Sequence, residues 1–217
     1  EQQLAEISFN NSKPDNYIFS TKLSFNSLNR RRSSKQDIFS TIDDVVFEKF
    51  GESSDKDKYI SPVLDMYFSK TFNAKHELTM NLVGTYYKSD YNYRYSELSG
   101  GVTDFETATN INLDKYSFIG EAVYNYNMKT AQLYVGSRYM YKNSTQKNLP
   151  SNNRTLTNEI YSYLGIAGML GKKFNYSVSA GVNGNIFTTI ENKEYKFVYF
   201  RPQVKLGYLI DESSDLT

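Results

Sequence analysis

The chain has 217 residues, a formal net charge of +1, 39% hydrophobic residues and no cysteine. The missing thiols exclude disulfides, zinc–thiolate sites and cysteine nucleophiles, and the near-neutral charge gives no bulk attraction to nucleic acid. No apolar run approaches the roughly 18 residues that a transmembrane helix needs. Because the sequence opens on Glu1-Gln2, without a methionine or a basic and apolar leader, we expect a removed signal peptide or a piece of a longer protein.

Alternation of apolar and polar residues predicts long β-strands, because successive side chains of a strand point to opposite faces. The pattern is clearest over residues 59–95, where Leu64, Met66 and Phe68 alternate with polar residues ahead of a tight turn at Asn73-Ala74-Lys75. The predicted strands cover residues 4–10, 17–28, the two arms of 59–95, 113–127, 131–142, 159–170, 174–186 and 195–210, and a tenth begins at Leu216. Soluble strands most often have about 5–6 residues, whereas about 9–11 residues cross a bilayer at a tilt. We therefore predict an all-β, antiparallel, up-and-down wall of a transmembrane β-barrel with nine to ten long strands.

The predicted connections form two sets that alternate along the chain. Short turns are expected near residues 11–16, 73–75, 128–130, 171–173 and 211–215. Longer connections are expected at residues 29–58, 97–112, 143–158 and 188–194. Within the first of these, residues 42–50 fit either a short strand or a helical turn. Short turns at one end and longer loops at the other are typical of outer-membrane barrels, so we expect the short turns to be periplasmic.

Aromatic residues also form two predicted groups. Those near the short turns are Tyr124, Tyr126, Phe174, Tyr176 and Tyr208. Those near the longer connections are Tyr86, Tyr91, Tyr93, Tyr95, Tyr139 and Tyr141. Smaller or aliphatic residues such as Val178 and Ala180 lie between them. Two aromatic girdles around an apolar band are expected where rings with a polar tip meet both membrane–water interfaces.

Charged residues on the side opposite the apolar one are candidates for a lumen, because charges that face a bilayer are costly. These candidates are Lys22, Asp65, Glu121, Arg138, Arg201 and Lys205. They could line a substrate path or bind a plug, or they could simply pair with one another and stabilise the wall. Arg30, Arg31 and Arg32 are candidates for contact with lipopolysaccharide phosphates, since guanidinium groups bind phosphate bidentately; the alternative is a charged loop base. His76, the single histidine, is expected to be a solvated turn residue, and we predict no metal or cofactor.

Four segments carry a family resemblance: residues 13–17 (KPDNY), 61–68 (SPVLDMYF), 77–86 (ELTMNLVGTY) and 201–208 (RPQVKLGY). They resemble the barrel of TonB-dependent-receptor-like outer-membrane proteins of Bacteroidetes. The resemblance implies a large barrel of about 22 strands, an N-terminal plug domain and energising by a TonB system. Nine strands and a stub cannot close a single-chain bacterial barrel, which has an even strand number. We therefore expect residues 1–217 to be one incomplete barrel domain without a plug.

The functional prediction is a segment of a bacterial outer-membrane receptor or transporter that binds or imports nutrients, with no catalytic activity. The expected partners are outer-membrane lipid, lipopolysaccharide and a plug domain or TonB system, and no nucleic acid. One alternative is a non-transporting surface or adhesion barrel in the same membrane. A second alternative is a soluble β-rich module that binds carbohydrate or protein through exposed tyrosines.

Overall fold

The structure is a computed structural model that describes residues 1–42, 45–148, 151–171, 173–211 and 214–216. Of these residues 91% lie in strands, and none lies in a helix. No helix long and apolar enough to cross a membrane occurs within those ranges. Parts of five expected features lie outside the described residues: Asp43-Asp44 and Leu149-Pro150 in two of the long connections, Lys172 and Glu212-Ser213 in two of the short turns, and Thr217 after the start of the tenth strand.

Nine long strands and one short strand form a single antiparallel sheet in chain order. They are β1 Gln2–Lys13, β2 Tyr17–Ile42, β3 Val45–Asn73, β4 His76–Ser99, β5 Val102–Asn127, β6 Ala131–Asn148, β7 Ser151–Leu170, β8 Phe174–Thr188, β9 Glu194–Asp211 and β10 Ser214–Leu216. Each strand pairs with its neighbours in sequence, and β1 makes no contact with β9 or β10 among the described residues. The sheet is therefore open at both edges.

Strand register assigns every side chain to one of two faces, because directly paired residues of an antiparallel ladder share a face. One continuous row runs Thr21, Met66, Leu82, Gly120, Tyr139, Ile160, Gly184 and Val198. We call the face that carries this row the apolar face. The neighbouring row on the other side runs Tyr67, Asn81, Glu121, Arg138, Tyr161, Asn183 and Tyr199, and we call that side the polar face. The predicted alternation is confirmed on each of the nine long strands.

The predicted long connections at 29–58, 97–112 and 143–158 are wrong, because nearly all of their described residues belong to strands. The β2–β3 ladder extends to Ile42 opposite Val45, and β3 alone has 29 residues. At about 3.3 Å per residue, a strand of that length spans roughly 95 Å. Two glycines with positive φ, Gly100 (57°) and Gly101 (82°), close the β4–β5 hairpin. Only the connection between Thr188 and Glu194 matches its prediction. The two ends of the sheet therefore differ in hairpin length and not in loop length. We call the end away from the short turns the distal end.

Charge pairing explains why the 29–58 segment forms a ladder. Its two arms are complementary in the antiparallel direction, with Arg30 opposite Asp57 and Lys35 opposite Glu52. The first pair closes at 3.2 Å and the second at 3.5 Å. Opposite charges across a strand pair stabilise a hairpin. The sequence predicted a loop here because the segment has no alternation of apolar and polar residues. The ambiguous residues 45–50 belong to β3, while Asp43-Asp44 lies outside the described residues.

A β-bulge joins the distal parts of three strands. The β4–β5 register shifts between Glu97 and Leu98, which leaves Asp104 without a direct partner. The carboxylate of Asp104 contacts the ammonium group of Lys49 on β3, and Glu97 contacts the same group at 3.4 Å. The hydrogen bond that Lys49 donates to Asp104 is the main cause that raises the pKa of Lys49 above its usual range. The bulge thus ties β3 to the β4–β5 hairpin, as bulges do when they redirect a side chain.

Burial is inverted relative to a soluble domain. The buried polar residues are Ser69, Asn143, Ser179 and Asn183, and Tyr161 is the single buried hydrophobic residue in the described part of the chain. Large apolar side chains are instead open to the surroundings, with Leu164 65% exposed and Val204 64% exposed. The accessible surface is 15204 Å², against roughly 10,000 Å² for a globular protein of this mass. The sheet therefore has no hydrophobic core of its own.

Tyrosine rings cover glycines on the polar face. Tyr163 lies opposite Gly136, and Tyr134 lies opposite Gly165. A Cβ atom added at either glycine would stand 2.4 Å from the Cζ atom of the opposing ring. At Gly181 the added atom would stand 2.6 Å from Tyr161 and 2.7 Å from the carbonyl oxygen of Ser162. The glycines therefore leave the space in which the rings lie against the backbone, a packing known to offset the weakness of glycine in strands.

We predict that Gly181→Ala destabilises the sheet by about 1–3 kcal/mol, because the methyl group meets both a ring and a backbone carbonyl. Gly184→Ala, three residues further along β8 on the apolar face, is the matched control, since the nearest atom to its added Cβ is 3.5 Å away. Urea unfolding of the full-length protein in lipid vesicles, followed by circular dichroism, measures the difference. Equal midpoints for the two variants would contradict this account of the rings.

Candidate functional site: the polar face and the distal rim of the apolar face

All of the charged residues predicted for a lumen lie on the polar face. Lys22 stands directly opposite Asp65, and Glu121 stands directly opposite Arg138. The cross-strand partners of Arg201 and Lys205 are uncharged. The structure thus assigns the predicted set to one face of one sheet. It does not gather the set into one cluster, because β2 and β9 lie at opposite sides of the sheet.

The expected partners of these charges are not the ones they contact. The ammonium group of Lys22 pairs with Glu6 on β1 at 2.8 Å, although Asp65 is its neighbour in the ladder. The guanidinium group of Arg138 donates a hydrogen bond to Glu159 at 3.0 Å, and the carboxylate of Glu121 accepts one from the Tyr163 hydroxyl at 2.9 Å. The two ion pairs are diagonal contacts between neighbouring strands, because long side chains lean along the strand, whereas Tyr163 on β7 reaches across β6 to Glu121 on β5.

Glu159 is the centre of the most enclosed polar cluster, and the sequence analysis did not single it out. Its side chain is 13% exposed, and one carboxylate oxygen accepts hydrogen bonds from Arg138 and from the Asn183 amide, each at 3.0 Å. Asn183 is fully buried. In the sequence Glu159 is the first residue of a predicted strand, which gives no indication of its role. Because it directly precedes Ile160, however, the alternation places it on the polar face.

Aromatic rings extend this cluster towards β9. The ring of Tyr161 stacks on Tyr163 with centroids 5.0 Å apart, and the guanidinium group of Arg201 lies 5.2 Å from the Tyr161 centroid. Such a distance is within the range of a cation–π interaction. The carboxamide oxygens of Asn183 and Asn185 are buried without a protein hydrogen-bond partner. The cluster therefore combines stacked rings, one exposed guanidinium group and free acceptors, which is chemistry for holding a polar ligand or a packed polypeptide segment.

The three consecutive arginines divide between the two faces. Arg30 and Arg32 lie on the polar face opposite Asp57 and Asp55, and the Arg30–Asp57 pair is a salt bridge at 3.2 Å. Arg31 lies on the apolar face opposite Lys56. The three arginines therefore do not form one group on one face, and their predicted contact with lipopolysaccharide stays a prediction.

Aromatic residues on the apolar face do form two groups. At the distal side, Tyr86 pairs with Tyr116, whose ring lies 5.8 Å from that of Tyr141. Their hydroxyl groups bond polar residues: Tyr86 donates to Asp114 at 3.0 Å, and Tyr116 accepts from Asn143 at 2.8 Å. Each ring thus faces the apolar side while its polar tip meets a polar residue, as expected of a tyrosine at an interface.

Two aromatic predictions need correction. Tyr91, Tyr93 and Tyr95 lie on the polar face, so they do not belong to the distal girdle. His76 is not simply a solvated turn residue, because its ring lies 4.9 Å from Tyr126 and its Nδ1 atom is 2.5 Å from the Tyr124 hydroxyl oxygen. His76 belongs instead to the aromatic group beside the short turns. No group of three or more potential metal ligands occurs among the residues that the structure describes.

We predict that Glu159→Ala lowers the free energy of unfolding by about 1–3 kcal/mol, because Arg138 and the buried Asn183 amide lose their acceptor. Glu6→Ala is the matched control: it also removes a carboxylate from an ion pair, but that pair is about half exposed. An exposed pair contributes about 0–1 kcal/mol. Chemical unfolding of the full-length protein in lipid vesicles compares the two variants. Equal losses would show that Glu159 is not a central contact.

Sequence comparison does not place the chain in a family. No family model matches the sequence, and no curated protein matches it significantly. A functional inference therefore rests on the geometry of the sheet. The sheet is open, with one apolar face and one polar face that carries an enclosed ionic and aromatic cluster. Its hairpins extend far beyond the apolar region.

Proposed function

We propose that this chain is a segment of the wall of a bacterial outer-membrane β-barrel, from a receptor that binds or imports nutrients. The observation that supports it best is the inverted burial. Polar side chains such as Asn183 are enclosed, while the aliphatic side chains of one continuous face are exposed. Water-soluble monomers rarely expose apolar patches larger than a few hundred Å², whereas a bilayer is a solvent in which such a face is stable.

The dimensions of the apolar face support a bilayer. On β4 it carries no charge between His76 and Lys88, a stretch of 11 residues, and on β3 none between Lys58 and Lys70, also 11 residues. Eleven residues at about 3.3 Å each, tilted by about 45°, cover roughly 26 Å. The apolar band of an outer-membrane barrel is about 25 Å tall. The uncharged stretches thus have the length of one membrane crossing.

The open edges support a place in a larger barrel. β1 is exposed along all 12 of its residues and has one strand neighbour. A strand edge at membrane depth cannot satisfy its backbone groups with water, so in this proposal further strands pair with β1 and with the β9–β10 edge. In the receptor that the sequence resembles, a plug domain and a TonB system would complete the transporter. The polar face would line the lumen, and the Glu159 cluster would meet the plug or the substrate.

In this orientation the short turns are periplasmic and the distal hairpins lie outside the cell. The hairpins decrease in length along the sheet, from 26 and 29 residues in β2–β3 to 15 and 18 residues in β8–β9. Projection of this kind also favours a second candidate, a non-transporting surface or adhesion barrel. A soluble carbohydrate- or protein-binding module would need a partner to cover the whole apolar face. The prediction that the chain has no catalytic activity remains a prediction.

Thiol labelling tests the membrane assignment, and the absence of native cysteine makes single cysteine substitutions unambiguous. Asn81 and Leu82 are neighbours on β4 that face opposite ways. In cells, we expect the N81C variant to react with a charged, water-soluble thiosulfonate and the L82C variant to stay unlabelled until detergent is added. Fast labelling of both variants without detergent would show the apolar face in water and overturn the proposal.

Gene deletion distinguishes a receptor from an adhesion barrel. We expect deletion to abolish growth on, or cell-surface binding of, at least one large nutrient in a panel of polysaccharides and peptides. We also expect a plasmid copy of the wild-type gene to restore that property. Unchanged growth and binding across the panel, combined with weaker attachment to surfaces, would reject import and support the second candidate.

A further inference from the structure

We infer that the distal rim of the apolar face binds the phosphate groups of lipopolysaccharide in the outer leaflet, an inference that rests on the proposed membrane location. The rim carries six basic residues on the apolar face, which we call the basic band. They are Arg31, Lys56, Lys58, Lys88, Lys147 and Arg154. They come from five strands, β2, β3, β4, β6 and β7, so the band crosses most of the sheet.

The basic band begins where the apolar face ends. Lys88 follows Tyr86 by two residues on β4, and Lys58 lies two residues beyond Ile60 on β3. Two residues correspond to about 7 Å along a strand, or about 5 Å of depth at a 45° tilt. The headgroup layer on each side of a bilayer is about 5–8 Å thick. These lysines therefore lie at the depth of lipid headgroups, directly beyond the distal tyrosines.

The cations of the band have no acidic side chain as a salt-bridge partner in the described part of the chain. Two carboxylates lie among them, Asp90 opposite Lys58 and Asp114 opposite Lys88. Neither closes a pair: Asp90 accepts a hydrogen bond from Asn92 at 2.7 Å, and Asp114 accepts one from Tyr86 at 3.0 Å. With six cations and two carboxylates, the band keeps a net charge of +4.

The ladder itself points to an external anion. Arg31 and Lys56 are direct cross-strand partners, an arrangement of like charges that destabilises a strand pair. One residue away on each side, on the polar face, the same two strands place Arg30 opposite Asp57 and Arg32 opposite Asp55. Around residues 30–32 the hairpin therefore pairs opposite charges on the polar face and like charges on the apolar face, whereas further out on the apolar face Lys35 again meets an opposite charge, Glu52. A phosphate group between Arg31 and Lys56 would remove their repulsion, and guanidinium and ammonium groups are the side chains that bind phosphate.

The test uses the full-length protein in three kinds of vesicle: phosphatidylcholine with lipopolysaccharide, with enzymatically dephosphorylated lipopolysaccharide, or with phosphatidylglycerol. Binding is measured by the lipopolysaccharide that co-purifies with the protein and by its exchange against labelled lipopolysaccharide. The band variant is K58Q/K88Q/R154Q. The control is R32Q/K115Q/K142Q, which removes the same charge from exposed positions on the polar face of the neighbouring strands β2, β5 and β6.

We expect the band variant to bind lipopolysaccharide on the order of 100-fold more weakly, since each basic residue near an anionic surface contributes about 1 kcal/mol. The control should bind like the wild type, and dephosphorylated lipopolysaccharide should bind all three proteins equally weakly. Equal binding by the band variant and the wild type would overturn the inference. Equally tight binding of phosphatidylglycerol would overturn the assignment to lipopolysaccharide. The L82C labelling experiment tests the membrane location separately. If L82C stays unlabelled without detergent, a negative binding result contradicts the lipopolysaccharide inference and not the membrane location.

Discussion

The antiparallel backbone ladder is the interaction on which the rest of this structure depends. No hydrophobic core holds the sheet, since Tyr161 is the single buried hydrophobic residue among those described. Strand order follows chain order throughout, so each hairpin adds to the one before it. Backbone hydrogen bonds then fix which side chains share a face, and every functional argument follows from that division. A ladder without a core is stable where water does not compete for its hydrogen bonds, and this feature supports the proposed bilayer location.

The two faces of the sheet differ in which side chains they enclose and which they expose. On the polar face, tyrosine rings lie over Gly136 and Gly165, and ionic groups converge on Glu159, so polar groups are enclosed and mostly satisfied. On the apolar face, side chains present aliphatic and aromatic surface outwards, bordered by tyrosines whose hydroxyl groups find polar partners. The basic band beyond them carries a net positive charge. In the proposed function, these features belong to a wall between lipid and a hydrated interior, and its rim would meet anionic headgroups.

The distal hairpins show how a polar sequence can still form a regular sheet. Serine, lysine, arginine and aspartate over residues 29–58 do not alternate in hydrophobicity, yet opposite charges meet in register at Arg30–Asp57 and Lys35–Glu52. Further out, the Asp104 bulge links β3 to the next hairpin through Lys49. Where burial no longer selects the strand register, the pairing of opposite charges across the strands selects it instead. This matters for function, because it extends a structured surface well beyond the apolar region.

The sequence by itself determined the all-β class, the assignment of side chains to faces and the positions of the short turns, because a period of two is a local property. It also placed Lys22, Asp65, Glu121, Arg138, Arg201 and Lys205 on one face. Only the tertiary structure decided which of them touch: Arg138 bonds Glu159 and not Glu121, because diagonal reach across strands depends on side-chain direction. Strand length beyond residue 28 and the division of Arg30, Arg31 and Arg32 between the faces also required the paired structure. Continuation of a polar strand depends on a partner about 25 residues away, which no local pattern contains.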